Sequence, residues 1–408
     1  MGPARLPRMK EQLCERGARV YTSGMETKRT VLIAGGGIGG LTLGVALRRA
    51  GFSVRVFERA ASLRPVGAGI TMQTNAILAF RTIGLDAEVA VAGHAVQRGA
   101  ILDSRGRSLG TMLVGEMAQE LGAPTIAIHR ARLQEVLQTA LGPEPLTLNA
   151  RVVGFREEPG SVVARLSDGT EVAGDLLVGA DGLRSTVREQ LLNDGEPRYA
   201  GYTSWRGVCE VPGLAEPSST SESWGPGLRF GIVPLGQGRT YWFATANAPV
   251  GGVDTPDAHG ELLRRFGHWH APIPALIEQT PISAIFRTDI HDRPPVQSWA
   301  RGRVVLLGDA AHPMTPNMGQ GGGQAVEDAA VLARCLASEP ELPTALTRYQ
   351  ALRVPRANGF VSQSRRLGEV AQWENPLACW VRDRLFQLVP QSSIRANLRR
   401  VLTFDAGQ

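Results

Sequence analysis

A glycine triplet placed between a strand and a helix constrains the fold more than any other feature of this chain. Gly35, Gly37 and Gly40 form a GxGxxG pattern. Before it runs the β-branched, apolar segment Thr30–Ala34; after it, Gly39–Ala50 carries apolar residues at helical spacing. Gly51 stops that helix, and Ser53–Phe57 alternates as a second strand. Together these predict a βαβ unit, two parallel strands joined through a crossover helix. In such a unit the first glycine allows the tight turn, the second lets a dinucleotide's pyrophosphate approach the backbone, and the third lets helix and strand pack closely. Exposed amides and the helix dipole favour the pyrophosphate's charge. Glu58 ends the second strand 23 residues after Gly35, where a carboxylate can accept from both ribose hydroxyls, and Arg59 adjoins it. NAD and FAD both suit this unit, so it does not decide the chemistry.

The uncharged stretch Thr30–Leu47 is long enough to tempt a membrane-spanning reading. Its six glycines, at the spacing of a phosphate-binding turn, argue against one, and no transmembrane segment is expected. Of the formal charge of +6, residues 1–29 contribute seven Lys/Arg against three Glu. The remaining body is nearly neutral, which speaks against nucleic acid as a partner. The leading segment has no apolar core of the kind a secretory signal carries. Residues 1–28 read as a basic, disordered extension, in which residues 1–24 ahead of Met25 are alternatively an overextended start. Cys14, Cys209, Cys335 and Cys379 are scattered without CxxC pairs, so neither a disulfide framework nor a metal site is expected, and a reducing cytoplasm fits.

With 408 residues and 43% apolar content the chain can bury two or three connected domains. Glu171–Gly179 and Arg303–Gly308 read as two more buried strands, each ending in a Gly/Asp turn that leads towards a helix. Between them residues 197–299 become rich in Trp, Tyr, Gly and Pro, with alternating runs Leu228–Val233 and Thr240–Thr245 and loop-like patches at Pro212–Ser223 and Ala248–His259. The expected fold class is α/β: a Rossmann-like dinucleotide-binding domain of discontinuous segments (29–91, 124–196 and 300–356), an inserted mixed β-sheet substrate domain (92–123 and 197–299), and a C-terminal helical segment (357–408). In the tail, Ile394, Leu398, Val401 and Leu402 share one helical face, with Arg395, Arg399 and Arg400 among them. Packing across a domain seam and peripheral contact with a membrane both fit that pattern.

Two later segments are more specific. Asp181 to Arg188 reads DGLRSTVR, and Gly308 to Pro313 reads GDAAHP. The chain here resembles the single-component FAD-dependent aromatic hydroxylases and epoxidases, salicylate-hydroxylase-like and zeaxanthin-epoxidase-like flavoprotein monooxygenases. Their DGxxSxVR and GDAAHP segments match these two. The resemblance runs from about Thr30 to about Arg356 and takes in Gly67-Ala68-Gly69-Ile70, Asn75-Ala76, and Ile128 to Leu133. It implies noncovalent FAD, with Asp309 accepting from a ribityl hydroxyl. The turn Pro316-Asn317-Met318-Gly319-Gln320-Gly321-Gly322-Gly323 would meet the pyrimidine end of the flavin, where amides and a positive helix end stabilise charge on the reduced ring. It also implies that Asp181 accepts from a ribose or ribityl hydroxyl, that Arg188 fixes its segment or meets a phosphate, and that Arg130 contacts the FAD linker. Helix capping by Asp309, a plain salt bridge for Arg188 and a helix-start cation for Arg130 are the competing structural roles.

A single GxGxxG unit leaves NADH or NADPH as a visiting co-substrate. The resemblance implies hydride transfer to FAD, reaction with O2, and a C4a-hydroperoxide that delivers one oxygen atom to an electron-rich carbon of a small aromatic or heteroaromatic compound. Placing that carbon and excluding water are then the protein's burdens, with little need for a nucleophile. His312, inside GDAAHP, suits turn architecture better than acid–base work. Pocket candidates are Tyr202, Trp205, Arg206, Arg229, Phe230 and Trp242: rings to pack on a substrate, arginines to meet a phenolate or carboxylate, and core packing as the competing role for each. Hydroxylation and epoxidation are not distinguished by these motifs. A flavin halogenase would carry a WxWxIP segment, which Phe266-Gly267-His268-Trp269-His270 does not supply. No His or Cys is marked for covalent flavin attachment as in some oxidases, and a non-catalytic electron-transfer protein stands as the alternative from another class.

Overall fold

The computed structural model describes residues 29–63 and 68–405. The basic leading segment, with Cys14 and Met25, and Gly67 of the GAGI run lie outside the described residues. Thr30–Ala34, Ile38–Arg49 and Ser53–Phe57 form the βαβ unit, its strands parallel from Thr30 opposite Ser53 to Ala34 opposite Phe57. Val31 to Ala34 and every residue from Ile38 to Leu47 are buried. Arg48 and Arg49 end the helix where its dipole favours cations, and they donate to the carbonyls of Leu141 and Ile83.

The unit sits inside a six-stranded sheet ordered Ala300–Arg301, Val304–Leu306, Leu176–Gly179, Thr30–Ala34, Ser53–Phe57 and Leu146–Thr147. Only the first pair is antiparallel. Parallel strands need covered faces, and Ile38–Arg49 and Gly321–Ser338 pack on each other at this sheet within one apolar core. A second, seven-stranded sheet is ordered Phe286–Asp292, Arg198–Cys209, Arg239–Asn247, Leu228–Gly236, Ser219–Gly225, Arg98–Asp103 and Ser108–Met112. It is mixed, because Ser219–Gly225 runs parallel to Arg98–Asp103. Helices Ala258–Phe266 and Ile273–Glu278 cover one of its faces with their own apolar cluster. Two three-stranded sheets complete the β structure of the described residues.

Three details differ from expectation. Glu171–Gly179 is two strands that part at Asp175: Glu171–Gly174 pairs antiparallel with Ser161–Leu166, while Leu176–Gly179 enters the main sheet. Asp175 pins the break, its N–H donating to the Thr30 carbonyl (2.8 Å) and its Oδ2 accepting from the Thr30 N–H (2.7 Å). Arg303–Gly308 shortens to Val304–Leu306, since Gly308 takes φ +60 and opens a tight turn. Ser219 to Ser223, inside a patch read as loop, is strand; its Ser, Thr and Glu side chains give no apolar alternation although both edges are paired.

Three helices close the chain: Leu342–Ala371, Pro376–Leu388 and Gln391–Leu402. On the last, Val401 and Leu402 are buried and Leu398 packs with them against Met117 and Phe360. Arg395 and Arg399 pair with Glu120 at 2.8 and 3.1 Å. The tail's apolar face is therefore spent on protein, which corrects the membrane reading of these residues. Among the described residues no helix is long and apolar enough to cross a membrane.

Candidate active site

At the glycine turn, two positions are tight and one is open. Gly35 has φ +107, and a Cβ there would lie 2.3 Å from the Ala180 carbonyl oxygen. A Cβ at Gly40 would lie 2.0 Å from the Gly35 oxygen, whereas at Gly37 it would meet nothing within 4 Å. Open space at Gly37, which precedes the first helical residue, is what a phosphate needs to reach the backbone. Glu58 is half-buried beside the turn, accepting from the N–H groups of Gly36 (2.7 Å) and Ala60 (2.9 Å). Arg59 and Arg130 are exposed, Arg59 directly after Glu58 and Arg130 opening the helix Arg130–Leu141 with its N–H bonded to Ala68 O at 2.9 Å.

Asp309 occupies the floor of a cleft. Solvent reaches its carboxylate, yet protein surrounds it closely, and no described residue hydrogen-bonds it. Enclosure pushes its pKa up, against the positive influence of His312 and Arg130. Directly behind, buried Asp328 accepts from Gly308 N–H (2.9 Å) and Arg353 Nε (2.7 Å) and meets His312 Nε2 at 2.5 Å. Burial alone would raise Asp328; His312 and Arg353 outweigh it and bring the carboxyl down to about 2. Neighbouring Glu327 accepts from Arg356 Nε (2.7 Å) and Asn75 (2.6 Å), and pairs with Arg353. His312 is thus locked behind the turn, and this ion network fixes the segment that presents Asp309.

The DGLRSTVR segment is engaged structurally. Asp181 accepts from the Ser185 hydroxyl and from the N–H groups of Thr186 (2.9 Å) and Val187 (3.3 Å), so both its oxygens serve the start of helix Thr186–Leu192. Arg188 is wholly buried and donates to Asp194 (2.9 Å) and to the carbonyls of Ala310 (2.9 Å) and Ala311 (2.7 Å). It ties this segment to GDAAHP and cannot meet a phosphate.

Beyond GDAAHP, Pro316–Met318 forms a short 3-10 turn, Gly319 takes φ +62, and Gly321 opens an 18-residue helix. Asp309 Oδ1 lies 3.8 Å from where a Gly321 Cβ would stand, so carboxylate and helix start face one cleft. Buried Gln320 holds the turn through Gln73 (2.8 Å), Asn75 (2.9 Å) and Gln324 (3.0 Å).

The pocket candidates divide by face. Trp205, Phe230 and Trp242 belong to the cluster under helices Ala258–Phe266 and Ile273–Glu278, with Phe230 stacked on Trp242 at 5.4 Å. They are core and not pocket. Tyr202, Arg206 and Arg229 stand on the opposite face, because strand side chains alternate and positions 202 and 205 differ by an odd number. There Tyr202 OH donates to Asn317 Oδ1 (3.1 Å), as does Arg229 Nη2 (2.7 Å), and the guanidinium lies 5.5 Å from the Tyr202 ring centre. Arg229 also holds Gln372 (2.7 Å) and Glu222 (3.0 Å). Burial raises the Tyr202 pKa, with Arg229 opposing, so the phenol keeps its proton at neutral pH. Tyr241 shares this face and is accommodated by Gly69, where a Cβ would come within 2.5 Å of it. Sequence reasoning missed Gln73, Glu222, Tyr241 and Gln372; alternation against Trp242 within strand Arg239–Asn247 would have found Tyr241, whereas the others carried no local signal. A separate cleft of about 1010 Å³, lined by Glu120, Arg356, Arg395 and Arg399 among others, contains none of these groups.

A family profile described as FAD binding domain matches residues 28–364. The chain belongs to the FAD-binding domain family. It is 63% identical over 380 residues to the aurachin C monooxygenase/isomerase of Stigmatella aurantiaca, covering 93% of this chain and 99% of that protein. It is 40% identical over 324 residues to the chloroplastic zeaxanthin epoxidase of Solanum lycopersicum, covering 76% of this chain and 48% of that one, about half its length. A Klebsiella pneumoniae protein, HpxO, solved with FAD and uric acid, superposes with a TM-score of 0.86 at 28% identity, over 92% of this chain and 96% of the other. This member of the FAD-binding domain family is an FAD-dependent monooxygenase with an α/β fold, and FAD is its cofactor. The resemblance carried by DGLRSTVR and GDAAHP pointed to the right family.

Proposed function

We propose that the protein uses NADH or NADPH and O2 to insert one oxygen atom into an electron-rich carbon of a small aromatic or heteroaromatic compound, by hydroxylation or epoxidation. The nicotinamide gives up a hydride, one oxygen atom enters the product, and the other leaves as water with the remaining proton. Bound FAD supplies the hydride acceptor and the activation of dioxygen. The residues present fit it: Gly35, Gly37 and Gly40 leave room at the pyrophosphate position, Glu58 stands at the ribose position, and Asp309 points unpartnered into the cleft. Pro316, Gly319, Gln320 and Gly321 would meet the pyrimidine end, Arg130 and Arg59 would reach the phosphates from outside, and Asp181 would support the cofactor through a ribose or ribityl hydroxyl and through the helix it caps. On this reading the six-stranded sheet belongs to the FAD-binding domain, the seven-stranded sheet to the substrate domain.

The observation that carries the proposal is the buried contact of Tyr202 and Arg229 with Asn317. It places a protonated phenol and a guanidinium from the substrate sheet against the turn proposed for the flavin. Arg229, itself bonded to Gln372, Glu222 and Asn317, would set positive charge behind that turn and so stabilise negative charge on a ring oxygen of a substrate bound in front of it. Apolar neighbours on the same face limit water. Arg229→Gln is expected to raise KM about tenfold while FAD per chain stays unchanged; steady-state kinetics and flavin absorbance check both.

Anaerobic mixing with NADH or NADPH tests the donor, in the presence of ring compounds headed by aurachin C and urate, which relatives are named for. Flavin bleaching that a ligand accelerates is expected. No reduction by either nicotinamide under any ligand would sink the reading and favour an oxidase or a protein-fed electron acceptor.

A further inference from the structure

Two polar side chains on the face of the seven-stranded sheet away from its helices have nothing to bond. Arg206 and Tyr241 are each half-buried, and neither the guanidinium nor the phenol hydroxyl has a hydrogen bond or ion pair with any described residue. The hydroxyl is not sealed in protein, so it opens on free space. Arg229, on the same face, is the reverse case: it is 2% exposed and bonded to Gln372, Glu222 and Asn317. Enclosed in this way, Arg229 acts from behind the turn, whereas the donors of Arg206 are free for a small molecule.

Register brings the two together. Arg206 stands opposite Phe243 on the neighbouring strand, and Tyr241 lies two residues before Phe243, so Arg206 and Tyr241 are diagonal neighbours on one face. The Tyr241 ring packs on the cluster of Val208 and Val233, with Gly69 close against it. Strand Gly69–Met72 pairs Gly69 with His129, beside Arg130, and Arg130 is within electrostatic reach of both Tyr241 and Asp309. The phenol thus borders the cleft that Asp309 faces. Burial raises its pKa, with Arg206 and then Arg130 opposing, so the charges that reach it are both positive. Beside them Phe243 is half-buried, its ring 6.2 Å from that of Tyr241 and lying over Gly231, where a Cβ would come within 2.0 Å of it. The missing side chain at Gly231 lets the Phe243 ring lie down on the sheet and leaves a ring surface next to the guanidinium.

We propose that Arg206 and Tyr241 are the direct anchors of the substrate, and that the substrate is a ring compound carrying an acidic hydroxyl, bound as its oxyanion. The proton leaves to solvent, the oxyanion accepts from the Arg206 guanidinium and the Tyr241 hydroxyl, and the ring rests on Phe243. Two positive charges, with no acid among the influences on the phenol, favour the ionised ligand over the neutral one. An ionised ring oxygen also feeds electrons into the ring, which a carboxylate does not. That preference rests on the proposed function; the binding itself does not.

Difference spectra of the oxidised, FAD-loaded full chain with para-nitrophenol and with its methyl ether, para-nitroanisole, test this without turnover. Wild-type protein is expected to bind the phenol as the yellow phenolate even below the probe's own pKa, and about tenfold or more tighter than the ether. Arg206→Gln should weaken phenol binding about 10- to 100-fold and remove the phenolate signature, with ether affinity, FAD content and melting midpoint unchanged. Arg206→Lys should recover part of both, since a point charge then stands where the planar fork was. Tyr241→Phe should cost about tenfold in phenol affinity alone. Absence of phenol binding, equal wild-type affinity for phenol and ether, or a bound probe that stays neutral would each overturn the proposal. So would a larger loss in Arg229→Gln than in Arg206→Gln, which would return the anchor to Arg229. None of these readings needs a nicotinamide to reduce the flavin, so failure here is distinct from failure of oxygen insertion.

Discussion

Asp309→Ala is expected to yield a folded chain that no longer retains FAD. The carboxylate accepts no hydrogen bond from the described protein, and its enclosure already disfavours the charged form. Its removal therefore costs the apoprotein little. With folded pKa raised, the ionised group opposes folding once the pH passes above its ordinary range, so the apo variant should melt at or above the wild-type midpoint near neutrality. What the cleft loses is a charge-assisted acceptor for a cofactor hydroxyl, about 1.5–3 kcal/mol, or roughly 10- to 100-fold in FAD affinity. Flavin absorbance per chain after gel filtration, alongside apoprotein melting, separates the two effects. Normal FAD content in the variant would remove Asp309 from the site.

Arg353→Met acts in the opposite sense, on stability first. Arg353 joins Asp328 at 2.7 Å and also pairs with Glu327, and both carboxylates are fully buried. Breaking such a network from one side leaves uncompensated charge, with an expected loss of about 3–5 kcal/mol. Arg356 remains to neutralise Glu327, while His312 alone would face Asp328. The wild-type protein should show the linkage directly. Asp328 is depressed from 3.8 to about 2, so its contribution is present above 3.8 and disappears as pH falls through about 2. That shift corresponds to about 2 kcal/mol. In the variant Asp328 should titrate higher, moving the acid loss upward. Denaturant curves across acid pH check both; a loss under about 1 kcal/mol would contradict the structural role given to the network.

Contiguous segments were the legible part of the fold. Gly35, Gly37 and Gly40 sit within one turn of backbone, and their distinct requirements, two tight and one open, are local. GDAAHP and DGLRSTVR could be read as a family mark. Their internal mechanics could not: Arg188 reaches Ala310 and Ala311 more than a hundred residues away, and only the folded chain shows that it is a tie. The same distance hid Gln372, which meets Arg229 from the end of the long helix Leu342–Ala371. Trp205, Phe230 and Trp242 were drawn to the pocket by their chemistry. Period-two alternation already separated them from Tyr202 and Arg229, since register and not residue type decides which face a strand side chain takes. In the tail, amphipathic spacing was plain at Ile394–Leu402, but spacing cannot tell what covers a face: Met117 and Phe360 cover that one.

Turnover under isotopically heavy dioxygen tests the central claim most directly. FAD-loaded protein, its effective nicotinamide and aurachin C or the best ring compound from the reduction panel would be combined, and product mass and nicotinamide consumption followed. One heavy oxygen atom per product molecule, with one nicotinamide oxidised for each, is the expected result. An unlabelled product, with the consumed dioxygen recovered wholly as hydrogen peroxide, would contradict oxygen insertion.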